Sequence, residues 1–141
     1  MSSTTTRDGT STGGMLTGYR WLTLVTMLGM LVQAVLGSQG SFYGGHRGLL
    51  TGHAQVGNLF FLLVIVQAFL AFRLMTAKVT PSWILILNVV QVILVVAQIG
   101  LGYSTRDNIE LTAWHIPNGV LLMGTCTALA ALAWVRLDRQ R

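Results

Sequence analysis

The sequence predicts an all-α membrane protein, an up-down four-helix transmembrane bundle built as a pseudo-twofold repeat of two helical hairpins. Three observations carry that expectation. Of 141 residues, 52% are hydrophobic and 9% charged, with a mean hydropathy of +0.64, whereas a soluble domain is roughly one-quarter charged. Four apolar runs lie at about 19–37, 52–72, 81–101 and 111–135, each near the ~20 residues that cross a ~30 Å hydrocarbon core as a helix. The links between the runs are short, which favours consecutive spans as antiparallel neighbours. Barrel strands would alternate over ~10 residues, and these runs do not.

Residues 1–16, MSSTTTRDGTSTGGML, are rich in Ser, Thr and Gly and too polar to pack, so they predict a disordered cytoplasmic tail ahead of a four-span domain over 17–141. The first run follows Arg20. Its long polar lead-in and lack of an A-x-A site distinguish it from a cleaved signal peptide, and it is expected to stay as span 1. The link SQGSFYGGHRGLLTG is a glycine-rich outer loop in which His46 is expected to be solvated. Between spans 2 and 3, MTAKVTPSW offers Thr80 as N-cap and Pro81 at the first helical position. The last link, YSTRDNIE, is a shorter outer loop. In span 4, Pro117 is expected to start the helix or kink it.

Charge gives the orientation. Arg7, Arg20, Arg73, Lys78, Arg136, Arg139 and Arg141 flank one side of the spans, against Arg47 and Arg106 on the other. The positive-inside rule then puts both termini in the cytoplasm of a multi-pass protein of the cell membrane. Tyr19, Trp21, Tyr43, Trp83, Tyr103, Trp114 and Trp134 fall near span ends, where an amphipathic ring gains from one wet edge. Since the basic residues are scattered and explained by topology, the net charge of +5 does not point to nucleic acid. One cysteine, Cys126, excludes an intramolecular disulfide and any dithiol motif. The only glutamate, Glu110, lies in a loop, which argues against a proton-coupled exporter.

The two halves repeat. QAVLG at 33–37 matches QIGLG at 98–102, and HAQVG at 53–57 matches HIPNG at 115–119. Both histidines open their spans at equal depth near the outer face, and spans 2 and 4 occupy a diagonal of a square bundle. Neighbouring axes roughly 8–10 Å apart put that diagonal at a distance two imidazoles can bridge to one iron. The pattern suggests haem b with His53 and His115 as axial ligands, a pairing that favours electron transfer. Gly57 and Gly119, four residues after each histidine, share its helical face and would leave a flat surface for a macrocycle. Gly37 and Gly102 would admit the ring edges. Gln33 and Gln98 are placed to hold the far imidazole nitrogens or each other, and Arg47 and Arg106 to pair with propionates.

These residues resemble one four-helix half of haem A synthase, and small four-span membrane proteins with a histidine in spans 2 and 4. The resemblance covers about 19–135 and implies that His53 and His115 match the ligand positions. Leu49 and Leu50 stand where a glutamate would precede His53 by a turn, and the outer loops lack a cysteine pair. What the resemblance implies is thus haem binding or sensing rather than haem oxidation.

Plainer readings stand beside this one. Asn88, Gln91 and Gln98 share a face of span 3, where interhelical hydrogen bonding is favoured over a quinone lining. The glycines serve equally as close-packing contacts. Beyond the lipid bilayer, the partners expected are a quinone or a larger respiratory-type membrane complex. The competing function is a cofactor-free accessory subunit of such a complex.

Overall fold

The computed structural model describes residues 7–42, 45–105 and 107–136. Four helices make up nearly all of it: α1 (Arg7–Phe42), α2 (Arg47–Thr76), α3 (Ser82–Ser104) and α4 (Thr112–Ala131). A 3₁₀ turn at Ile109–Leu111 leads into α4 and a π-helical turn at Leu132–Arg136 leaves it. There is no strand among the described residues. Thr12–Phe42, Arg47–Thr76, Ser82–Ser104 and Ile109–Val135 are each long and apolar enough to cross a membrane, and a helix satisfies its own peptide groups there. The chain is a multi-pass membrane protein, with Leu28, Leu59, Ile93 and Val120 among the exposed apolar side chains that suit contact with lipid.

Each helix packs on the next and α4 returns to α1, while among the described residues no backbone contact joins α1 to α3 or α2 to α4. The section is therefore square, with α2 and α4 on one diagonal. The α1–α2 and α3–α4 links share one end, the hairpin end. The α2–α3 turn lies at the other, the terminal end.

The buried positions explain the packing. Along the seam of α1 they are Leu16, Tyr19, Thr23, Thr26, Met30 and Gln33, with Arg20 and Gly40 buried beside it, and in α2 Phe60, Val64, Gln67, Ala71 and Leu74. α3 buries Ile84, Asn88, Gln91 and Val95, and α4 buries Leu122, Cys126 and Leu129, with Ala133 just beyond it. Steps of three and four alternate throughout, the 3.5-residue seam of a left-handed bundle. The repeat seen in the sequence extends along this seam. At the spacing that relates Gln33 to Gln98, Tyr19 matches Ile84, Thr23 Asn88, Thr26 Gln91 and Met30 Val95. At the spacing that relates His53 to His115, Phe60 matches Leu122, Val64 Cys126, Gln67 Leu129 and Ala71 Ala133. Every one of these residues is buried.

Several expectations need correction. The tail expected over 1–16 is helical from Arg7, because Met15 and Leu16 pack with Tyr19, Leu74 and Ile84 at the terminal end; residues 1–6 lie outside the described residues. The outer loop is far shorter than 38–52, since α1 runs to Phe42 and α2 starts at Arg47. Tyr19 is fully buried and receives a hydrogen bond of 2.9 Å from Asn88 Nδ2, so it is no interfacial anchor. Pro81, in extended conformation, is the N-cap of α3 rather than its first residue. Pro117 lies inside α4, where it removes one main-chain hydrogen bond.

At the terminal end α1 and α4 are clasped. Arg20 is 7% exposed, and its Nε donates to the Ala133 carbonyl at 3.0 Å. Trp134 Nε1 donates in return to the Arg20 carbonyl at 3.1 Å. The guanidinium meets a carbonyl of the π-helical turn that follows α4, near the negative end of the helix dipole. Trp21 stands edge-on to Trp134 with centroids 5.3 Å apart.

The exit from α2 is a Schellman turn. Lys78 N–H donates to Met75 O and Val79 N–H to Leu74 O, each at 2.9 Å, with Lys78 in the left-handed region at φ 59°. Glycine is the usual residue there because an L side chain costs about 1–2 kcal/mol in that conformation. Lys78→Gly is accordingly expected to stabilise the bundle by about 0.5–1 kcal/mol once glycine's extra unfolded-state entropy is deducted. Reversible unfolding in mixed micelles measures it, and a loss of stability would contradict the strain argument.

Candidate functional site

The hairpin end holds one layer built twice. His53 lies in the second turn of α2, and its Nδ1 is 3.1 Å from the main-chain oxygen of Gln33 on α1. Gln33 Nε2 donates to the His53 carbonyl at 3.1 Å, so the two residues are tied by two bonds. In the second hairpin, His115 in the first turn of α4 pairs with Gln98 of α3, whose Nε2 is 3.1 Å from His115 Nε2. Gln98 is itself held by Asn118, whose Nδ2 donates to Gln98 Oε1 at 2.6 Å and to the Leu94 carbonyl at 2.9 Å.

The four glycines make room for these side chains. A Cβ on Gly37 would stand 3.1 Å from His53 Cε1, and one on Gly102 3.0 Å from His115 Cε1. On Gly57 and Gly119 it would stand 3.1 Å from the amide nitrogens of Gln33 and Gln98. Hence the flat surface expected for a macrocycle over Gly57 and Gly119 is taken by the two carboxamides, and Gly37 and Gly102 seat the imidazoles themselves. The bundle gains close helix contact and a rigid ring position from the same residues.

Across the diagonal the two imidazoles converge. Their centroids are 6.2 Å apart and their planes are inclined at 74°. Two polar atoms of this layer are buried without a hydrogen-bond partner, His115 Nδ1 and Gln33 Oε1. In an apolar interior such an atom costs about 1–3 kcal/mol, so the layer is not arranged for stability alone.

Beyond an apolar storey of Met30, Phe60, Val64, Val95, Leu122 and Cys126, a second polar layer joins all four helices. Thr26 Oγ1 donates to Gln67 Oε1 at 2.8 Å. Gln67 Nε2 donates to Asn88 Oδ1 at 2.9 Å and to Gln91 Oε1 at 2.7 Å. Asn88 Nδ2 donates to Tyr19 Oη and to the Ile84 carbonyl, and Gln91 Nε2 to Cys126 Sγ at 3.1 Å. The Ile84 carbonyl only accepts, which orients the Asn88 amide and, through it, the rest of the chain of bonds. This is the interhelical role expected of Asn88 and Gln91.

The structure thus brings together His53, His115, Gln33, Gln98, Gly37, Gly57, Gly102 and Gly119. Arg47 is exposed at the first residue of α2, apart from the buried layer, and Arg106 lies outside the described residues. His46 is exposed as the N-cap of α2. The sequence pattern singles out neither Gln67 nor Asn118, yet each is a hydrogen-bond hub. An uncharged carboxamide inside an apolar span was the available signal, because such groups seek partners on another helix. Comparison with protein families, with curated proteins and with solved structures finds no match to this chain.

Proposed function

We propose that this chain is a b-type membrane cytochrome, with one haem held between His53 and His115, that transfers electrons near the outer face of the cell membrane. The observation that supports it is the approach of two imidazoles from diagonal helices to a centroid separation of 6.2 Å. That separation is of the size at which two imidazoles would share one metal ion. Among the described residues no three His, Cys, Asp or Glu side chains come together.

Bound between two imidazoles, haem supplies one-electron transfer and has no coordination position left for oxygen. The chain's own part is orientation. The Gln33 main chain holds the His53 ring through Nδ1, the role such outer partners usually play, and Arg47 is a cation on offer to a propionate. The excess of Arg and Lys on the side of the termini and of the α2–α3 turn supports cytoplasmic termini. That orientation sets the histidine layer toward the outer face, where a quinol or a larger respiratory-type complex would exchange electrons with it.

Protein purified from haem-replete cells is expected to be coloured, with a Soret band that sharpens and an α band that appears on reduction. A colourless preparation that takes up no added haem would end this reading in favour of a cofactor-free accessory subunit. Co-purification with a larger complex in mild detergent would then be the measurement to make.

A further inference from the structure

The two histidines occupy equivalent places in the repeat but are held by different devices. On His53, Nδ1 faces the Gln33 main-chain oxygen, which only accepts, so the proton of the neutral ring is on Nδ1 and Nε2 is bare. The Gln98 main chain faces the His115 ring as well, but His115 Nδ1 makes no hydrogen bond of the length and direction seen at His53. His115 Nε2 faces a carboxamide nitrogen instead, and an amide can present either end.

Asn118 decides which end. The Leu94 carbonyl accepts and cannot donate, so the amide nitrogen of Asn118 is turned toward it at 2.9 Å. The same nitrogen lies 2.6 Å from Gln98 Oε1, which commits the Gln98 oxygen to Asn118 and its N–H to His115. A nitrogen that receives an N–H carries no proton of its own. His115 Nε2 is therefore bare, and the proton is on Nδ1, the buried atom with no partner.

We infer that Asn118, acting through Gln98, is a positioning residue that holds His115 as the Nδ1–H tautomer with Nε2 bare, matching it to His53. The repeat supports this reading. At the place of Asn118 the first hairpin has Val56, and it needs no lock because Gln33 sets the tautomer of His53 through its own backbone. Gln98 is then a placeholder, its N–H occupying the lone pair that a metal would take. This consequence for haem rests on the function proposed above; the proton position does not.

The test is ¹⁵N NMR of the full chain, labelled at histidine and reconstituted in lipid nanodiscs without haem. The two ring nitrogens resonate far apart according to which one carries the proton. His53 and His115 are each expected to show a protonated Nδ1 and a bare Nε2, with the exposed His46 as an averaging reference. In Asn118→Leu the Gln98 amide is free to turn, so the His115 proton is expected to move toward Nε2 while His53 is unchanged. Gln98→Leu removes the amide outright and is expected to shift His115 in the same direction. Wild-type His115 protonated at Nε2, or both variants giving the wild-type spectrum, would overturn the inference. The expected spectra without haem uptake by any form would uphold the tautomer lock and remove the haem reading alone.

Discussion

Replacing either His53 or His115 with alanine is expected to abolish the six-coordinate haem spectrum and leave the helical signal in place. On the haem reading proposed above, removal of either imidazole should lower haem affinity by more than the roughly 10–100-fold that an outer-shell partner contributes. The structure indicates why the fold survives. His53→Ala loses the bond from Nδ1 to the Gln33 oxygen, but Gln33 Nε2 donates to the main-chain carbonyl of residue 53, which remains. The cost is about 1 kcal/mol for the bond with a further contribution from the space the ring leaves against Gly37. His115→Ala strands the Gln98 N–H and costs about 1–3 kcal/mol. A third variant, His115→Met, offers a thioether in place of the imidazole, and haem retained in it should show a raised potential. Circular dichroism and a redox titration on the same preparations separate the outcomes. Alanine variants with undiminished haem would show that the iron is held elsewhere.

The second large effect belongs to Gln67→Leu, expected to destabilise the bundle by about 2–4 kcal/mol. Leucine fits the space in principle, since Leu129 is the buried residue at the matching place of α4. What it cannot do is donate. The oxygens of Asn88 and Gln91, both fully buried, would lose the Gln67 amide, at about 1–3 kcal/mol each. Single interhelical bonds in membranes average nearer 0.6 kcal/mol, so the expected loss is larger than a mean bond because two acceptors are stranded at once. Adding Gln91→Leu removes one stranded oxygen at the expense of a weak bond to Cys126 Sγ. The double variant is therefore expected to recover about 1 kcal/mol relative to the single one. Unfolding titrations in mixed micelles would decide it, and simple addition of two losses would count against stranding as the cause.

The contrast between the two layers has a functional sense. The deep network is paired throughout as described, and such a network specifies one arrangement of four helices. The hairpin layer leaves His115 Nδ1 and Gln33 Oε1 without partners. Each unpaired group costs free energy in the interior, while the paired layer beneath holds the four helices in register.

What the sequence by itself determined was the set of four spans, their up-down order, the depth of both histidines and their pairing with glutamine and glycine in each half. These are local or periodic properties. Lipid forces each span to satisfy its own peptide groups as a helix, and the repeat needs only matching order along the chain. Tertiary structure alone decided that Tyr19 is a buried acceptor, that Gln67 joins three helices, that the glycines seat imidazoles and amides, and that Asn118 orients Gln98. Each of these depends on which side chain a neighbouring helix presents, as with Tyr19 and Asn88, 69 residues apart in sequence. A hydrophobic pattern tells which face turns inward. It carries no record of which donor meets which acceptor there, because that is set by the relative rotation and height of two packed helices.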